Sequence, residues 1–150
     1  MDDQAIGGGS GATMGKTAAE TADNSGPLDT RLVSKNWSVR ANAYDELKGL
    51  CEKATVDSKE PIFPENADKF KVFLKDTNPG ALEKALDSLV EFLKKVPAKV
   101  LLDAQNGIIS IIIEKMLFTH AKPGIRAKSL ESFLSLFEVT DNFADSIETL

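Results

Sequence analysis

Apolar residues in this chain recur at helical spacing, and the helices themselves recur at a spacing of 42 to 44 residues. Ala43, Tyr44 and Leu47 are matched 42 residues later by Ala85, Leu86 and Leu89, and 44 residues after that by Ser129, Leu130 and Phe133. A short polar turn precedes each helix, reading "SKNWS", "KDTNPG" and "THAKPG", and another helical pattern precedes each turn. One helix pair cannot bury its own apolar face, so pairs repeated in this way must stack on one another. That requirement excludes most other folds for the chain.

The stripes are explicit. Residues 40–54 put Ala43, Tyr44, Leu47, Leu50 and Cys51 on one face, with Asp45, Glu46, Lys48 and Glu52 opposite. Residues 79–96 line up Leu82, Leu86, Leu89, Leu93 and Val96, and residues 123–139 line up Ile125, Leu130, Phe133, Leu134 and Phe137. Prolines 61, 64, 79, 97 and 123 fall at boundaries, where a missing N–H does no harm to a helix start. No stretch alternates as a strand, although the isoleucines between 108 and 113 favour one by propensity. Helix pairs at this period are the pattern of HEAT repeats. The expected fold is an all-α HEAT-repeat α-solenoid of three pairs, residues 27–54, 64–96 and 98–139. A fourth pair is expected to begin at Asp141-Asn142, so that the chain ends inside a repeat.

The first 26 residues hold six glycines and almost nothing large and apolar, which predicts a disordered leader before a domain at 27–150. Within it, "GGGSGATMGKT" imitates a phosphate-binding loop, but position 10 is Ser where the first glycine belongs. Only six residues precede the stretch, so no buried strand leads into it. The leader lacks the basic start and apolar run of a secretory signal. One cysteine excludes an internal disulfide framework and fits a reducing, cytosolic setting. The run "GIISIIIEKMLF" is broken by two charges and falls short of the ~20 residues that span a bilayer, so no membrane partner is expected. A net charge of −5 argues against a nucleic-acid binder. Cys51 lies on an apolar stripe and His120 in a turn without a neighbouring carboxylate, which excludes cysteine catalysis. One Cys and one His cannot make a metal's ligand set, so neither a catalytic nor a metal site is expected, and no cofactor or small-molecule substrate. Glu91 and Lys95 have the spacing of an (i, i+4) pair.

"GPLDTRLVSKNWSVRANAYDELKGL" closely resembles the start of a TOG domain, the HEAT module of microtubule polymerases related to the tumour-overexpressed-gene protein. Pro27, Leu28, Asp29, Arg31, Leu32, Lys35, Trp37, Arg40, Ala43, Tyr44, Glu46 and Leu47 stand where that family has its Pro-Leu-acidic-x-Arg-Leu start, Lys-x-Trp turn and Ala-Tyr helix. "FLKDTNPGALEKALDSLVEFL" is similar to the family's second turn and helix. The resemblance implies binding of curved αβ-tubulin by the turns within each repeat, as part of a polymerase or plus-end regulator of microtubule dynamics. It also implies a cytoplasmic, cytoskeletal location at plus ends, spindle poles or centrosomes. Family domains have six repeats, so this chain corresponds to the N-terminal part of one.

The residues expected at the tubulin edge follow. Trp37, the only tryptophan, stands in a polar turn, where an aromatic either anchors a partner, with much contact area for little lost entropy, or tucks back over its own helix pair; the resemblance favours the tubulin contact. Thr77 and Asn78 hold the matching place in the second turn, where Asn before Pro is also ordinary turn chemistry. Lys122, Arg126 and Lys128 crowd a helix start, which the helix dipole disfavours, so either an acidic partner or a solvated helix face is expected there. The resemblance places basic residues at Lys122 and Arg126, and Lys35 and Arg40 extend the same basic edge. The alternatives are a HEAT scaffold or adaptor for another protein, and a CLASP-type rescue factor. The rival from the enzyme class is a nucleotide hydrolase using the leader, which deletion of residues 1–26 tests; the tubulin reading itself requires no bond-making chemistry.

Overall fold

A computed structural model describes residues 24–55 and 60–148, with side chains placed as far as Val139 and at Asp141. The expected leader therefore lies outside the described residues up to position 23. The described chain is helical, without a strand: α1 (Leu28–Arg31), α2 (Trp37–Lys53), α3 (Ile62–Asn66), α4 (Phe70–Phe73), α5 (Pro79–Lys95), α6 (Ala98–Glu114) and α7 (Pro123–Glu148). A 3₁₀ turn at Ala67–Lys69 joins α3 to α4, and another at Leu117–Thr119 follows α6. The second helices of the three pairs, α2, α5 and α7, form one layer, with α2 against α5 and α5 against α7; α1, the α3–α4 segment and α6 form the other. This is the stacking of HEAT-like pairs that the period requires.

The starts of α2 and α5 are written in their side chains. Asn36 accepts the Ser38 amide at 2.9 Å and Asn78 accepts the Ala81 amide at 3.0 Å, each satisfying a donor the helix leaves open. At the far end of α2, Lys95 donates to the carbonyls of Glu52 and Ala54. A cation there complements the helix C-terminus, and Glu91 pairs instead with Lys94 at 2.8 Å. The first helix of the second pair is shorter and more broken than its pattern suggests. It begins at Ile62, two residues before Pro64, and passes through the 3₁₀ turn before α4.

Of the stripes, that of α5 is buried throughout, as are Ala43, Tyr44, Leu47 and Cys51 of α2. Rings connect the first two pairs in a chain: Tyr44 meets Phe73 at 5.5 Å, Phe73 meets Phe70 at 5.4 Å, and Phe70 meets Phe92 at 4.8 Å. Ala43, Ala85 and Ser129, one register position in three repeats, are all fully buried, and their small size lets consecutive helices approach closely.

The third stripe corrects the periodic reading. Ile125 is buried, but Leu130, Leu134 and Phe137 are 52%, 60% and 43% exposed, and α7 buries Ser129, Ser132 and Leu136 instead. Tyr44 and Leu86, the register equivalents of Leu130, are each covered by the next pair; among the described residues none covers α7. Leu50 of α2 is also exposed. Nor does α7 break at Asp141-Asn142, where a fourth pair was expected to be capped. No Pro or Gly follows Gly124, so nothing interrupts the propagation of its hydrogen bonds.

Met116, between α6 and its 3₁₀ turn, has φ 54° and ψ 43°, left-handed backbone that disfavours a side chain, and it is largely exposed. Replacing Met116 by Gly relieves that strain at some cost in chain entropy. The expected gain is roughly 0.5 kcal/mol, read as a higher urea midpoint at unchanged slope.

Candidate functional site

The three turns share a local design. Ser34 Oγ, Asp76 Oδ1 and His120 Nδ1, at one register position, each accept the backbone amide two residues on, at 3.1, 3.0 and 3.0 Å. A short side chain thereby folds each turn back on itself before the helix begins. Arginine reinforces the first and third turns in the same way. Arg40 Nη1 donates to the carbonyls of Ser34 and Lys35, and Arg126 Nη1 to those of His120 and Ala121.

Arg40 does more, and not what its charge suggests in the sequence. Its Nε and Nη2 grip Asp76 at 2.7 and 2.9 Å, and Tyr44 donates its hydroxyl to the same carboxylate at 3.0 Å. The Arg40 side chain is 18% exposed and that of Asp76 only 1%. Arg40 therefore lies beneath the edge as the tie between the first and second turns. Burial pushes the Asp76 carboxyl up, but the Arg40 fork, the Asn78 amide and the Tyr44 hydroxyl together hold it below its ordinary value. The hydrogen bond to Asp76 raises Arg40 in turn, and burial first, then Asp76, raises Tyr44.

The third turn is tied to the second pair by carboxylates of α5. Lys122 meets Glu83 at 2.7 Å; Lys128 meets Asp87 at 2.7 Å and Glu83 at 3.4 Å. Lys122 holds the Glu83 carboxyl below its usual range. Glu83 lies so close to Gly124 that a Cβ there would run into its carboxylate. The crowding of lysines at this helix start is thus offset within the fold, by anions placed where the α7 N-terminus also favours them.

The edge that results presents Lys35, Trp37, Thr77 and Arg126 as exposed residues, with Lys122 half-buried beside Glu83. Trp37 is the first residue of α2 and is 42% exposed. The rest of its ring leans on the next pair: a Cβ at Gly80 would lie 3.9 Å from Cζ3. The indole thus rests over the start of α5, at ordinary van der Waals distance. Asn78 is half-buried and its Oδ1 is engaged as the α5 cap. Sequence reasoning missed Asp76, Glu83 and Gly80; their places beside the turns, in register with the repeat, were the available signal.

Elsewhere, Cys51 is fully buried and burial pushes its thiol up to about 12. No three His, Cys, Asp or Glu side chains among the described residues converge as a metal site requires. No described helix is long and apolar enough to cross a membrane.

Residues 23–150 match the family model described as XMAP215/Dis1/CLASP, TOG domain. Among curated proteins, the chain is 32% identical over 122 residues to Protein MOR1 of Oryza sativa subsp. japonica, covering 81% of this chain and 6% of that protein. It is 30% identical over 124 residues to Centrosomal protein 224 of Dictyostelium discoideum, covering 83% and 6%. It is 31% identical over 130 residues to Spindle pole body component alp14 of Schizosaccharomyces pombe, covering 83% and 15%. The chain thus spans a small fraction of the length of these relatives.

Proposed function

The chain belongs to the XMAP215/Dis1/CLASP family of TOG domains, and from that premise we propose that its edge of turns binds unpolymerised αβ-tubulin as part of a regulator of microtubule dynamics. The observation that carries this reading is the alignment of three turns on one stiff edge. Arg40–Asp76 ties the first turn to the second, and Glu83–Lys122 ties the third to the second pair. A partner thereby meets Trp37, Thr77, Lys35, Lys122 and Arg126 at fixed spacing, and little entropy is lost in ordering them. Arg40 and Asn78 serve the same binding from beneath, by holding the turns.

The mechanism is recognition without bond-making. A rigid row of contacts discriminates between curved and straight tubulin only through a difference in affinity for the two shapes. The cationic groups of the edge suit an acidic partner and speed its approach at low salt. The names of two relatives, a centrosomal protein and a spindle pole body component, support a cytoskeletal location near spindle poles. Plus-end activity belongs to the same proposal.

Sedimentation velocity with unpolymerised tubulin, beside pelleting with stabilised microtubules, tests the reading. The expected result is co-migration with the free dimer and little pelleting with the lattice. Preference for the lattice would overturn the shape selection, and binding to neither would leave the scaffold reading in its place.

A further inference from the structure

Between the first and second turns the surface opens into a cleft of about 310 Å³. Val33 and Val72 line it, 61% and 50% exposed, and its floor includes the buried Leu32 and Phe73. Thr77 and Lys75 are also part of its lining. Two exposed valines flanking one cleft, on the edge already described, are not accounted for by the packing of the fold.

Resting on the tubulin reading, we propose that this cleft receives a branched aliphatic side chain of tubulin, from a segment that also places a carboxylate at Lys75 or Lys35. The apolar part follows from the walls, since valine methyls offer a dry contact and no hydrogen bond. The charge follows from which cations are free. Lys122 and Lys128 are engaged by Glu83 and Asp87, whereas among the described residues Lys35 and Lys75 stand in no ion pair. Arg40 and Asp76, which also line the cleft, neutralise each other. Lys75 therefore sets one unpaired positive charge at the mouth beside an apolar centre, with Lys35 on the adjoining first turn. The cleft also abuts Thr77, so that a segment seated in it continues along the same edge.

The test uses the 150-residue chain and unpolymerised αβ-tubulin, with Val72→Asp, Val33→Asp and Lys75→Glu measured beside wild type and Trp37→Ala. Both valines are exposed enough for aspartate to leave the thermal midpoint near wild type. Each Val→Asp change is expected to weaken binding about tenfold or more, as loss of a buried side-chain contact implies. Lys75→Glu is expected to weaken it at low salt and to flatten its salt dependence. If both Val→Asp variants bind within about twofold of wild type while Trp37→Ala does not, the cleft is empty in the complex and only this inference falls. If wild type itself does not bind, the tubulin reading and the cleft fall together.

Discussion

Asp76→Ala is expected to lower the unfolding free energy by roughly 3–4 kcal/mol, because breaking one side of a buried pair strands the other. The carboxylate accepts two bonds from Arg40, one from the Tyr44 hydroxyl and one from the Asn78 amide. All four donors lose their acceptor together, and Arg40 is too enclosed for water to replace it fully. Such a loss is a large share of the stability of one small domain. Urea denaturation followed by circular dichroism reads it; a change below about 1 kcal/mol would place the tie among weak surface pairs.

The same pair sets a pH signature. The Asp76 carboxyl is held below its ordinary value of 3.8, so its contribution is present above that pH and disappears as pH falls through the folded value. The gap between wild type and Asp76→Ala should therefore be constant near neutrality and close as the solution is acidified below about pH 4.

Trp37→Ala is expected to weaken tubulin binding about thirtyfold or more, the effect of deleting an aromatic anchor worth 2 kcal/mol. More than half of the residue is covered in the free chain, with Gly80 under its ring, so some stability is lost as well. The two effects separate cleanly. Stability is read by denaturation of the chain alone, and affinity by titration well below its melting temperature. An affinity within about threefold of wild type would remove Trp37 from the contact.

Much of the fold is legible in the sequence because local signals agree. Asn36 and Asn78 cap where they should, Pro79 and Pro123 open helices, and the stripe from Leu82 to Val96 is buried at every position. Periodicity finds an apolar face but not its neighbour, so the stripe alone does not tell that Leu130, Leu134 and Phe137 stay exposed where no further pair covers them among the described residues. The edge was legible by residue type and less so by role. Arg40 and Lys122 look like free cations because their carboxylates, Asp76 and Glu83, lie 36 and 39 positions away. Those distances become contacts only after the repeats are stacked. Val33 and Val72 gave no signal, since isolated surface valines are ordinary.

The most direct measurement uses the fact that Trp37 is the only tryptophan in the chain. Labelled with 5-fluorotryptophan, the chain gives one fluorine resonance from one place on the edge. Titration with unpolymerised αβ-tubulin at moderate salt should shift or broaden that resonance saturably, with an affinity that Val72→Asp and Trp37→Ala variants lower in parallel assays. A resonance that stays unchanged while the chain demonstrably binds tubulin would move the interface elsewhere on the solenoid.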